Sequence, residues 1–203
     1  MTCSGSSMAM VQVDLRSSRT RWPLGITLRR ALWRPLSWAV RYLPAPLNGL
    51  RIAILRGAGA EIGPHCLIMP GVKVLMPWNL VLADCVAIGR DVELYNHARV
   101  RVGSNTLISQ SSFLCTSSHD YTRPDMPLIY SDIEIGSDCW IAAGVFVGPG
   151  VRIGNGSVIG ARAVVSRSMP EWMVCAGNPC NPIKPRILHG DPAQVSQIDQ
   201  PEL

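Results

Sequence analysis

Four histidines are the side chains best suited to proton transfer near neutral pH. His119 differs from the others in its setting. It is followed by Asp120 and opens a Pro- and Asp-rich stretch, CTSSHDYTRPDMPLIYSD at 115–132, that reads as a long loop. A histidine at the root of such a loop can act as a general base toward a hydroxyl, or it can be an ordinary solvated side chain. His65 and His97 fall at a recurring position that can point outward, and His189 lies in the C-terminal tail. Asn96, His97 and Arg99 form a second polar group. The chain has no G-x-S-x-G, H-E-x-x-H, P-loop or G-x-G-x-x-G segment, which removes support for nucleophilic-serine, zincin and nucleotide-hydrolase chemistry. Its seven cysteines include no C-x-x-C pair and no zinc-finger spacing. They read as reduced thiols in a cytoplasmic protein, with no metal expected.

The elements that must position His119 follow from a period of six. Ile135, Ile141, Val147, Ile153, Ile159 and Val165 are all aliphatic and β-branched. The same step recurs in Ile62–Ile68–Val74, Leu82–Ile88–Leu94 and Val102–Ile108–Leu114, with two residues inserted between runs. Three hexads per turn predict a triangular column of about five coils, stacked at strand spacing to a height of roughly 24 Å. The residue four past each aliphatic is mostly small (Cys66, Val86, Ala98, Thr106, Cys139, Ala163), as a narrow interior needs. Trp78 and Met169 break that rule, which fits an end or a distorted face. The residue after the aliphatic is often Gly, as at Gly63, Gly89 and Gly103, read here as a corner needing unusual backbone angles. The expected fold is therefore an all-β parallel β-helix, and the period does not give its hand. Leu94–Arg99 and Leu114–His119 fall on the same face of successive coils, so Asn96 and His97 are expected about one coil from His119.

With 203 residues, 47% hydrophobic and 6% aromatic, the chain is long enough for an aliphatic core. Its net charge of +5 suits an anionic cofactor or a membrane surface, and no nucleic-acid signature is present. Residues 1–16 read as disordered and carry no signal peptide. Residues 17–56 read as a basic amphipathic helical segment in which Trp22, Leu28, Leu32, Trp33, Leu36 and Val40 recur at roughly helical spacing among arginines. Its arginines and prolines exclude a transmembrane span. It either caps the column or lies in a membrane interface as a peripheral contact. The β-helix is assigned to 57–170, with loop 120–132, and the C-terminal cap and tail to 171–203.

The hexads, the TSSHDY segment, SDCWIAAGVFVGPGVRIG and the ending AGNPCNPIKPR together resemble the hexapeptide-repeat acetyltransferases over about residues 20–188. The similarity is greatest to the colanic acid biosynthesis type and weaker to galactoside, maltose and nodulation-factor O-acetyltransferases. The resemblance implies a left-handed β-helix, a homotrimer with sites between columns, acetyl-CoA as co-substrate, no metal, and a sugar or glycan hydroxyl as acceptor. It implies His119 as catalytic base and the backbone N–H of Ala143 as oxyanion donor. Trp140, Ala143, Ala161, Ser166, Lys184 and Arg186 would meet CoA, and Asn96, His97 and Asp120 the acceptor. An N-acetyltransferase on an amino nucleotide sugar and a non-catalytic β-helix scaffold are the alternatives. A γ-type carbonic anhydrase, which shares the fold, lacks its second nearby histidine here.

Overall fold

The computed structural model describes residues 12–18, 20 and 22–188. Three parallel sheets form the faces of a triangular column. Coil 1 contributes Glu61–Ile62, Leu67–Ile68 and Lys73–Val74 to the first, second and third faces, and four further coils repeat the pattern. The first corner follows the first face, and so on round. The aliphatic hexad residues stack rung on rung: Ile62, Leu82, Val102, Ile135 and Ile153 pair in register on the first face. The second face pairs Ile68, Ile88, Ile108, Ile141 and Ile159. The third pairs Val74, Leu94, Leu114, Val147 and Val165. All of these are buried, and so are the small residues four places on. Met169 is buried too and bridges Ile153, which starts a partial sixth coil. That coil continues into Met173–Ala176 on the second face, and Asn181–Pro185 folds back antiparallel over its open edge.

The glycines after the aliphatic residues have a different cause from the one expected. The left-handed backbone lies two residues later, at the fourth hexad position, in His65 (φ 56), Asn105 (φ 56), Asp138 (φ 59) and Gly144 (φ 68) among others. What requires Gly at the second position is the next coil. A Cβ on Gly103 would sit 2.5 Å from the Ser137 nitrogen, and one on Gly89 would sit 2.6 Å from that of Gln110. Both distances are far inside van der Waals contact with backbone, which cannot swing aside.

Coil 1 has no coil before it, so its outward backbone groups need other partners. The N-terminal segment supplies them. It forms α1 (Leu24–Tyr42), a single 3-10 turn and α2 (Asn48–Gly57). Trp33 Nε1–H donates to the Val74 carbonyl at 2.8 Å. Asn48 donates to the Cys66 carbonyl (3.0 Å) and accepts from the Ile68 N–H (2.9 Å). Arg56 donates to the Ile62 carbonyl at 3.0 Å. Arg51, fully buried, donates to the carbonyls of Ile68 (2.7 Å), Val40 (2.9 Å) and Leu43. Two of those carbonyls belong to the C-terminal end of α1, where the helix dipole is negative, so the charge is met by dipoles. Burial lowers the Arg51 pKa.

Residues 1–11 of the expected disordered stretch, and His189, lie outside the described residues. Residues 12–16 pass the loop region, where the Asp14 N–H donates to the Pro124 carbonyl at 2.9 Å.

Candidate active site

The chain between coils 3 and 4 leaves the third corner as a hairpin. Ser117–His119 pairs antiparallel with Leu128–Tyr130, with Ser117 opposite Tyr130 and His119 opposite Leu128. The stretch read as a loop is therefore a two-stranded arm, with residues 120–127 as its tip. His119 is exposed on it. Its Nδ1 lies 2.6 Å from the Met126 carbonyl across the hairpin. A carbonyl only accepts, so Nδ1 carries the proton and Nε2 is left with the basic lone pair. Asp120 turns into its own tip: Oδ1 accepts from the Thr122 hydroxyl (2.5 Å) and N–H (3.1 Å). Those bonds hold its carboxyl below the ordinary range. The imidazole is thus oriented by a backbone carbonyl, and Asp120 shapes the turn.

Asn96 and His97 sit one coil away on the same corner, but neither points outward. Asn96 is fully buried, and its amide is spent on Met76, accepting from the N–H at 3.0 Å and donating to the carbonyl at 2.7 Å. It joins coil 2 to coil 1, and its full burial keeps it from an acceptor. His97 is buried beneath Trp22, whose ring stacks on it at 5.4 Å, with Tyr95 edge-on at 4.8 Å. Its Nδ1 is 2.6 Å from Ser117 Oγ, so it braces the strand that carries His119. Burial first, and Arg30 second, lower its pKa. At the base of the hairpin the Arg99 N–H donates to Asp132 at 2.9 Å.

A second group lies elsewhere on the column. Trp140 is half exposed on the second face, its Nε1–H donating to Ser109 Oγ at 3.0 Å. Across that face it pairs with Val158, then Val174, then Lys184 in Asn181–Pro185. Three rungs separate Trp140 from Lys184, about 14 Å. The row is apolar with a cation at its end. Ala143 and Ala161 occupy the second corner, and among the described residues their amides meet no acceptor. This belongs to the hexad, since Pro64, Pro70 and Pro149 hold the same position and need no N–H there. Arg186 is turned inward, its Nη1 donating to the carbonyls of Asp138 (2.6 Å) and Gly156 (2.9 Å). It pins the C-terminal strand to the first corner. Ser166 is exposed at the third corner, below the hairpin, with the third face between it and Ala161.

One chain therefore carries two separate constellations. His119 with Ser166 lies at the third corner, and Ala143 with Ala161 and the Trp140–Lys184 row lies at the second corner and face. Sequence reasoning missed Met126, which fixes the imidazole, and Tyr130, which stacks near Trp22 at 6.2 Å. It also placed Trp22 in the helix, whereas α1 begins at Leu24. Only the hairpin's antiparallel register brings Met126 and Tyr130 into place, and no local pattern signals it.

A parallel column of stacked six-residue repeats is the architecture of the hexapeptide-repeat class. Residues 132–167 match the family model described as bacterial transferase hexapeptide (six repeats). The chain is 41% identical over 170 residues to the putative colanic acid biosynthesis acetyltransferase WcaF of Escherichia coli (strain K12), covering 81% of this chain and 93% of that one. It belongs to the hexapeptide-repeat acetyltransferases, in the colanic acid biosynthesis type, and the column is a left-handed β-helix. Among solved structures, a hexapeptide-repeat acetyltransferase of Vibrio cholerae complexed with acetyl-CoA superposes with a TM-score of 0.76 at 24% identity, covering 84% of this chain and 94% of that one. A maltose O-acetyltransferase of Clostridium difficile 630 gives 0.75 at 24%, covering 82% and 90%.

Proposed function

We propose that the protein is an O-acetyltransferase that moves an acetyl group from acetyl-CoA to a hydroxyl of a sugar or glycan, in polysaccharide biosynthesis. The observation that carries this reading is the His119 imidazole, exposed on the hairpin with Nδ1–H held by the Met126 carbonyl, so that Nε2 faces solvent as a base. Nε2 takes the proton of the acceptor hydroxyl while that oxygen attacks the thioester carbonyl. The carbonyl becomes an oxyanion, met by the unpaired Ala143 N–H. Collapse expels CoA as thiolate, which recovers the proton from the imidazolium. The apolar row from Trp140 to Lys184 suits the pantetheine arm with its phosphates at the cationic end, and Ala161 lies beside it. Arg186 is better read as a support of that strand. The two constellations sit at opposite edges of the third face, so the working unit is a homotrimer in which one chain's second corner meets its neighbour's third corner. The protein acts in the cytoplasm, with its N-terminal segment at the membrane surface.

The test is thiol release from acetyl-CoA over a panel of sugars, nucleotide sugars and lipid-linked saccharides, with His119→Ala beside the wild type. The expected result is acceptor-dependent release that falls about 10²- to 10⁴-fold in the variant, with CoA binding retained. Equal rates in both proteins would overturn His119 as base. Absence of CoA binding in the wild type would overturn the enzyme reading.

A further inference from the structure

α1 presents an apolar surface that nothing among the described residues covers. At 100° per residue, Leu24, Leu28, Leu32, Leu36, Trp38 and Tyr42 fall within an arc of about 160°, and no polar side chain falls inside it. Leu24, Leu32 and Trp38 are 75%, 72% and 68% exposed. The opposite side of the helix is the one that packs, with Trp33 and Val40 buried against coil 1. The exposed stripe runs the length of the helix, about 27 Å. Arg34 flanks one edge, and Arg29 the other, where its guanidinium lies over the Trp78 ring at 4.4 Å.

Charge indicates what covers it. Residues 15–60 hold nine of the chain's 19 Lys and Arg and none of its 14 Asp and Glu. That segment therefore carries +9, and the remaining ten cations against fourteen anions leave −4. A second copy of the helix would bring like charges together. An anionic bilayer surface would not, and its apolar depth takes Leu and Trp side chains while the Arg34 stem reaches to the headgroups. No helix among the described residues is long and apolar enough to cross a membrane, so the helix lies in the interface plane.

We infer that α1 docks the protein on membranes bearing anionic phospholipids, through the Leu24–Tyr42 stripe with Arg34 at the headgroups. The consequence reaches the site. Trp22, two residues before the helix, stacks on His97 and Tyr130 of the corner and hairpin that hold His119. Docking thus fixes the hairpin near the bilayer surface. The inference deepens the peripheral location proposed above, and it stands apart from the chemistry, because binding is read without acetyl-CoA.

The experiment is flotation of the purified full-length protein with vesicles of phosphatidylcholine alone or with phosphatidylglycerol, at low and high salt. The wild type is expected to bind the phosphatidylglycerol vesicles at least about tenfold more tightly, with the difference shrinking in salt. Leu28→Ser/Leu32→Ser/Trp38→Ser should abolish binding, and Arg34→Gln should weaken it. Both variants should keep the wild-type native mass and CoA binding. Wild-type protein free of every vesicle, equal affinity for both lipids, or a triple variant that binds like the wild type would each overturn the inference. So would a change of native mass in the triple variant, because the stripe would then be covered by another copy. Vesicle binding with no thiol release would count against the catalytic reading alone.

Discussion

His119 and His97 show how one residue type divides into two tasks. His119 is exposed with its tautomer set by Met126. His97 is buried under Trp22 and braced on Ser117, and its pKa is lowered. The pH consequence belongs to His97. As pH falls through the ordinary imidazole value, about 6.5, the unfolded chain takes up a proton that the folded imidazole resists. Stability present above that value is therefore lost on going down toward the lowered folded pKa. Thermal unfolding of wild type and His97→Gln from about pH 7.5 to 5 should show a fall in the wild type that the variant lacks; parallel curves would refute it. Lys184, exposed at the end of its row, should act on donor affinity alone. Lys184→Ala should raise the KM for acetyl-CoA by several-fold to about tenfold with kcat unchanged, measured by steady-state thiol release.

At the scale of elements, the hexads were legible because their cause is local. A side chain every six residues must point inward whatever the rest of the chain does, and the three-per-turn register follows. What the sequence did not disclose depends on residues of other coils and other elements, distant along the chain. The glycines at 63, 89 and 103 answer to the backbone of the coil stacked on them. Asn96 answers to Met76, and the partners of Arg51 appear only once α2 lies across coil 1. Gly103→Ala should therefore cost about 1–3 kcal/mol by overpacking. Gly49→Ala, whose Cβ would meet nothing within 4 Å in α2, should stabilise by about 0.4–1 kcal/mol. Denaturant titration of both variants tests the contrast, and a neutral Gly103→Ala would refute the stacking argument. Of the candidate site, His119 was singled out by its place before a loop and Trp140 by the family resemblance, and both are exposed. The hairpin's register, and hence Met126 and Tyr130, left no mark in the sequence.

At the scale of the whole molecule, the separation of the two constellations makes the proposed trimer testable without a structure of it. His119→Ala removes one half of each site, and Ala161→Trp blocks the other. Each variant alone should be inactive. If sites form between copies, mixed trimers assembled from both variants regain intact sites, up to about a quarter of the total for random mixing. Activity in mixed but not separate preparations, with a native mass three times that of the chain, is the expected outcome. No recovery on mixing would place the whole site within one chain.

The hairpin sits between two coils whose stacking ignores it. Val102 pairs in parallel register with Ile135 just as it does with Leu82, although thirty-three residues separate the first pair and twenty the second. The column is continuous where the chain is not. Natural variation can thus lengthen, shorten or exchange the arm at little cost to the foundation beneath it. The histidine ends the arm's first strand and is held by Met126 of the tip, so the residues around that contact are the ones left to explore new acceptors. In such a scaffold, specificity can evolve almost independently of stability, and related chains should diverge most in this arm while their rungs stay in step.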